Sequence, residues 1–171
     1  PLSLDWGPEN EVVTIENSEF QKGSLALTGY AYTADELRPL REIFANAKTL
    51  HLFRLNSGGA KAACKYAEAK YPGKIGNELK IVIQQNEGFT ASTNEVYDVS
   101  TYLGTTLMDT QKAVKAVSDL EDNDYLHWKG SEALTENAGL LLTGGTTGAV
   151  QDAAYQTFLD KIEPYSFNAV G

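Results

Sequence analysis

The chain has 171 residues, 42% hydrophobic and 22% charged, the make-up of an ordinary globular protein with enough apolar side chains for a core, so disorder is set aside. Its net charge of −9 comes with scattered basic residues, so the clustered positive footprint of a nucleic-acid binder is missing and no nucleic-acid partner is expected. The single cysteine, Cys64, excludes an internal disulfide and a cysteine zinc site, and no apolar stretch approaches the length of a membrane span.

The chain begins at Pro1 rather than Met and is read as a piece of a longer protein, without a secretory leader or membrane anchor. "PLSLDWGPENEVVTI" reads as a short strand, a Gly7-Pro8 turn and a β-branched strand over Val12 to Ile15. In "TADELRPLREIFANA", Thr33 and Glu36 have capping-box spacing, and Leu37, Leu40, Ile43 or Phe44, and Ala47 recur at helical period. A helix is expected there, with Pro39 kinking or delaying its first turn. "TLHLFRLN" follows as a strand apolar on nearly both faces, which suggests a central position in a sheet covered by helices.

The stretch from Ser57 to Asn77 is broken by Gly58-Gly59, Pro72-Gly73 and Gly76-Asn77 into short pieces. In "ELKIVIQQN", Leu79, Ile81 and Ile83 alternate with Lys80, Val82 and Gln84, and "EVYDVSTYLGTTLMDT" reads as a hairpin turning near Gly104. "TQKAVKAVSDL" places Ala113, Val114, Val117 and Leu120 on one side of a short helix, and "YLHWKG" is a short strand after an acidic loop. Last come the apolar run at 140–142, a Gly/Thr turn, a helix with Ala154, Tyr155, Phe158, Leu159 and Ile162, and "YSFNAV" as a final strand. Helix-covered strands that give way to antiparallel hairpins and then return imply a β module inserted into an α/β layer.

"LLLTGGTTGAVQDAAYQTFLDKI" has the order in which a dinucleotide-binding unit delivers backbone N–H groups to a pyrophosphate. Thr143-Gly144 and Gly148 fit the dehydrogenase variant, but Val150 stands where a third glycine allows close helix packing, and no ribose-binding acid follows. Tyr66 and Lys70 mimic a Tyr-x-x-x-Lys pair in a turn-broken segment ahead of that loop, the wrong chain order. Glycine supplying a turn is the preferred reading over a nucleotide site. The run "SDLEDND" echoes a calcium loop, yet Asp124 stands where glycine is needed and Gly130 where a bidentate acid is needed, so a solvated loop is expected. His51, His127 and Cys64 read as structural residues, and neither a HExxH run nor a Gly-x-Ser-x-Gly elbow occurs. No catalytic, cofactor-binding or metal residue is assigned.

Several of these stretches together carry a further signal. "LDWGPENEVVTI", "PLREIFANAKTLHLFRLNSGGAKA", "AKYPGKIGNELKIVI", "VYDVSTYLG…MDTQKAV", "DLEDNDYLHWK" and "LLLTGGTTGAVQDAAYQTFLDKIEPYSFNAV" resemble, in this order, the central part of tail sheath proteins from contractile phages, defective prophages and phage-tail-like bacteriocins of Gram-positive bacteria. "KYPGKIGNELKI" and "LTGGTTGAVQDAAYQTFLDKIE" are the most specific pieces.

The resemblance implies an α+β structural subunit, in which an α/β-layered sheath core segment at 1–57 plus 144–171 carries an inserted antiparallel β-sandwich module at 58–143. It implies no enzyme activity and no cofactor, and it makes Gly144, Gly145 and Gly148 a strand-to-helix turn of the core. The implied partners are other sheath subunits, stacked as hexameric rings into a helical sheath, and the tail tube, which contraction drives through a target envelope. No membrane partner is implied. The implied location is the virion or tail-like particle, after synthesis in the bacterial cytoplasm. Without the family's N-terminal arm and large C-terminal domain, the piece is expected to be monomeric. Two acidic clusters, Glu9, Glu11, Glu16 and Glu19, and Asp119 to Asp124, are candidate subunit contacts. Two readings from other classes are a carbohydrate- or receptor-binding β module exposing Tyr97 or Tyr102, and a Rossmann-type oxidoreductase.

Overall fold

The computed structural model describes residues 1–87 and 96–171. They form an α+β fold in two compact units, one of Pro1–Gly59, Tyr71–Gly73 and Thr147–Gly171, the other of Ala60–Lys70 and Lys74–Thr146.

In the first unit, strand β1 (Val12–Glu16) pairs antiparallel with β2 (Thr49–Phe53), from Val12 opposite Phe53 to Glu16 opposite Thr49. The expected first strand reduces to Leu2, whose N–H and C=O bond Phe53 and Leu55. Because strand side chains alternate between faces, Leu52 joins a core with Leu4, Ile15, Phe20, Leu37, Leu40 and Phe44, while Phe53 joins another with Leu55, Ala154, Phe158 and Ile162. Helices α1 (Asn17–Thr28) and α2 (Arg38–Phe44) supply the first core, and α3 (Ala154–Ile162) supplies the second. The two-faced apolar strand is therefore covered on both sides, as its sequence predicts, but it lies in a two-stranded sheet with β1 rather than at the centre of a larger one.

Helix α1 has no counterpart among the predicted elements. Its buried face is Phe20, Ser24 and Thr28, one ring and two hydroxyls at a spacing of four, so hydrophobic periodicity does not mark it. Burial is tolerated because the Thr28 hydroxyl donates to the Ser24 carbonyl at 2.7 Å. Gly29, at φ 78°, closes the helix with its N–H on the Leu25 carbonyl.

Four expectations fail locally. The capping box at Thr33 does not form. Asp35–Leu37 is a 3-10 turn, and α2 starts at Arg38 with Pro39 in its first turn, where a residue without an N–H is accommodated. Residues expected to form a helix at 110–120 instead continue a strand to Val114, leaving only Val117–Asp119 as a 3-10 turn. "YSFNAV" forms no strand, and α3 turns only part of its apolar set inward, leaving Tyr155 and Leu159 exposed.

In the second unit, β4 (Leu79–Gln85), β5 (Tyr97–Leu103), β6 (Thr106–Val114) and β8 (Asn137–Leu141) form an antiparallel sheet in the order β6-β5-β4-β8. A second sheet pairs β3 (Ala67–Ala69) with β7 (Leu126–Trp128). The predicted alternation in β4 is realised, with Leu79, Ile81 and Ile83 buried. The β5–β6 hairpin turns at Gly104, φ 59°. Glu95, at the start of the expected hairpin, lies outside the described residues. Residues 110–114 stay extended because β5 offers backbone partners, Val99 to Gln111 and Tyr97 to Val114, with a bulge that puts Ala113 at φ 57°.

Candidate functional site

The glycine loop is the sharpest functional candidate in the sequence, and three of its backbone N–H groups are already committed. The Gly145 N–H donates to Asn77 Oδ1 at 2.8 Å, while its carbonyl accepts Asn77 Nδ2 at 2.8 Å. The Thr143 and Thr146 N–H groups donate to the Ala63 and Ala60 carbonyls at 3.1 and 3.0 Å. A pyrophosphate needs such groups unpaired at a helix N-terminus, but α3 begins only at Ala154. The preceding strand, β8, runs antiparallel to β4. Two of the glycines are sterically constrained: Gly144 sits at φ 86°, and a Cβ on Gly148 would lie 1.9 Å from the Ser57 carbonyl oxygen. The segment lies on the connection from β8 to α3.

Tyr66 and Lys70 flank the extended β3 rather than sharing a helical turn. The buried Tyr66 hydroxyl bonds the Ala133 carbonyl at 3.1 Å and Thr135 Oγ1 at 3.0 Å, and Lys70 pairs with Asp124 at 3.5 Å. Burial pushes the Tyr66 phenol up, but Lys65 and the Thr135 hydroxyl outweigh it and leave the pKa below its ordinary value.

The acidic run is a hydrogen-bonded loop rather than a merely solvated one. Asp119 accepts the Lys115 and Ala116 N–H groups, each at 3.1 Å. Asp122 binds His127 Nδ1 at 2.7 Å and the Trp128 N–H at 2.8 Å, contacts that hold its carboxyl below the usual range, His127 first. Asn123 accepts the Tyr125 and Leu126 N–H groups and reaches Thr101 and Asp109 with its amide nitrogen. A cleft of about 400 Å³ beside this loop includes Lys70, Asp109, Asp122, Asp124 and His127, whose polar groups pair locally as just described. Among the described residues, no group of three or more His, Cys, Asp or Glu side chains is placed to hold a metal ion.

His51 bonds Thr14 Oγ1 at 3.0 Å and lies against the Tyr165 ring at 4.8 Å, a structural role like that of His127. Of the N-terminal acids, Glu9 turns inward: its carboxylate accepts the Gly58 N–H at 3.0 Å and faces Arg54. Glu16 accepts the Thr49 hydroxyl at 2.8 Å, and Glu11 and Glu19 remain exposed. Tyr97 is buried and the Lys80 ammonium stands over the Tyr102 ring at 5.0 Å, so the proposed carbohydrate platform does not form as expected.

Two residues escape the sequence reading. Arg54 and Asn56, at 2% and 1% exposure, lie inside the run read as an apolar strand. Arg54 Nη1 donates to the Gly7 and Pro72 carbonyls, and the Asn56 amide bonds both the N–H and the C=O of Leu4. The available signal is the polarity of Arg54 within an otherwise apolar run and of Asn56 at its end.

The exposed large hydrophobics of the described residues are unevenly spread. Of the large hydrophobics exposed among the described residues, Val150, Tyr155, Leu159, Tyr165, Phe167 and Val170 all fall within 150–170. Tyr155 and Leu159, four residues apart, form one stripe on α3 beside the inward Ala154, Phe158 and Ile162.

Residues 57–148 match the model of the phage tail sheath protein beta-sandwich domain, and residues 1–55 match the tail sheath protein Gp18 domain III N-terminal region. The phage-like element PBSX protein XkdK of Bacillus subtilis is 30% identical over 99% of this chain and 40% of its own length. The crystal structure of a sheath tail protein from Desulfitobacterium hafniense superposes with a TM-score of 0.83 at 35% identity, over 98% of this chain and 39% of that one. One from Listeria innocua superposes with a TM-score of 0.82 at 30% identity, over 98% and 38%. The chain therefore spans about two fifths of the length of these relatives.

Proposed function

Because this chain belongs to the phage tail sheath proteins, we propose that it is the central part of a sheath subunit whose work is assembly and rigid-body movement. The observation that carries this reading is the pair of adjacent sheath-domain matches, 1–55 and 57–148, backed by a TM-score of 0.83 to a sheath tail protein. In the intact subunit, neighbouring copies stack as hexameric rings around the tail tube within a virion or tail-like particle. Contraction is a change of partners between packed bodies that keep their own folds.

Two features of the chain suit that task. Each unit has its own buried core, so it can move as a body. The polar groups of the glycine loop and the acidic loop are used internally, which suits stiffness rather than catalysis. We assign residues 1–57 plus 144–171 to the sheath core and 58–143 to the β-sandwich module, and Gly144, Gly145 and Gly148 to a backbone-shaping role; the unit limits near 59 and 147 support this.

The test is negative-stain electron microscopy of the full-length protein carrying this sequence, expressed alone at high concentration. Rings or helical tubes of uniform width are expected. A protein that stays monomeric at every salt concentration overturns the reading.

A further inference from the structure

Tyr71–Gly73 belong to the first unit, while the chain on both sides of them, Ala60–Lys70 and Lys74–Thr146, belongs to the second. Named contacts tie them to the rest of that unit. The Tyr71 ring meets Trp6 edge-on, with centroids 5.5 Å apart. The Pro72 carbonyl accepts Arg54 Nη1 at 2.9 Å, and the same nitrogen donates to the Gly7 carbonyl at 2.7 Å. Gly73, at φ 145°, lies so close to Asp5 that a Cβ would come within 1.8 Å of the Asp5 carbonyl oxygen.

The anchoring cation is only half satisfied. Arg54 is 2% exposed, yet Nε and Nη2 make no hydrogen bond. Glu9 Oε1 stands 3.6 Å from Nη2, beyond hydrogen-bond reach, and has no other partner. Burial lowers the guanidinium pKa, against the opposing pull of Glu9 and Asp5. Buried donors without acceptors oppose the closed state, and rehydrating them offsets part of what opening loses.

We propose that Tyr71–Gly73 is a releasable strap, held by Arg54, Trp6 and the Asp5 backbone, that opens as a local unit while the rest of its own unit stays folded. This inference is independent of the sheath reading.

Trypsin sites flank the strap at Lys70 and Lys74, and Lys48 lies in the same unit ahead of β2. The experiment is native-state trypsin digestion of the chain, of Arg54→Met and of Tyr71→Ala, with cleavage sites read by mass spectrometry. Both variants are expected to be cut after Lys70 or Lys74 about tenfold faster than the parent, with cleavage after Lys48 unchanged, since proteolysis tracks the open population. Tyr71→Ala leaves the buried charge in place and decides the matter if Arg54→Met fails to fold. Cleavage at the strap no faster in Tyr71→Ala than in the parent, or rising together with cleavage after Lys48, overturns the proposal.

Discussion

Gly148 and Ser57 meet backbone to backbone: a methyl carbon on Gly148 would stand 1.9 Å from the Ser57 carbonyl oxygen and 2.8 Å from the Gly59 nitrogen. Nothing there can yield as the end of a flexible side chain yields. The glycine that the fingerprint reading would assign to a phosphate is required by the neighbouring segment at Ser57–Gly59 of the same chain.

Gly144 differs, because the space around its Cβ position is open and only its φ of 86° favours glycine. Gly144→Asn is expected to cost no more than about 1 kcal/mol, since asparagine tolerates the left-handed region. Gly148→Asn is expected to cost more than about 2 kcal/mol by forcing the backbone apart. Urea midpoints of the two variants check this; equal losses would show that backbone conformation, not close approach, governs both sites.

Ala113 adopts φ 57° in the bulge of β6, where its N–H donates to Asp98 Oδ1 at 3.0 Å. Ala113→Gly removes a conformational penalty and is expected to stabilise the chain by about 0.5–1 kcal/mol. Thermal unfolding should show a higher midpoint, and a lower one contradicts the bulge.

Three carboxyls of the second unit titrate below their ordinary values: Glu68 through Lys129 and Lys61, Asp98 through Asn86 and the Ala113 N–H, and Asp122 through His127 and the Trp128 N–H. Lowered folded-state values mean stability that is fully present above the ordinary carboxylate range and is lost as pH falls through it toward the folded-state values. All three groups face solvent, so the loss is shallow. Chemical denaturation of the chain is expected to show a midpoint unchanged between pH 7 and pH 6 and falling below pH 4. Asp122→Asn should flatten that fall, and an unaltered pH profile would count against the His127 contact.

Phe158 and Leu159 are neighbours on α3 with opposite fates, 6% and 53% exposed. Phe158→Ala should cost about 3–5 kcal/mol through the cavity it leaves. Leu159→Glu should change the stability of the chain by less than about 0.5 kcal/mol. In the full-length protein, Leu159→Glu is expected to suppress tube formation seen by microscopy, and normal tubes from that variant would remove the α3 stripe from the assembly surface.

Local pattern alone determined the parts whose period and partner chemistry agree. The alternation of Leu79, Ile81 and Ile83, the turn at Gly104 and the two-faced strand around Leu52 and Phe53 were legible because each side chain's destination follows from a period of two and one glycine with positive φ. Tertiary structure decided what periodicity leaves undetermined. Residues 110–114 carry a helical spacing but become strand because β5 supplies backbone partners. Helix α1 buries Ser24 and Thr28, which a hydrophobic count passes over, because a hydroxyl can be satisfied by its own helix. Arg54 and Asn56 enter the interior because carbonyls distant in sequence, those of Gly7, Pro72 and Leu4, converge on them. Those contacts join residues far apart along the chain, so no local stretch encodes them, and only the folded arrangement brings donor and acceptor together.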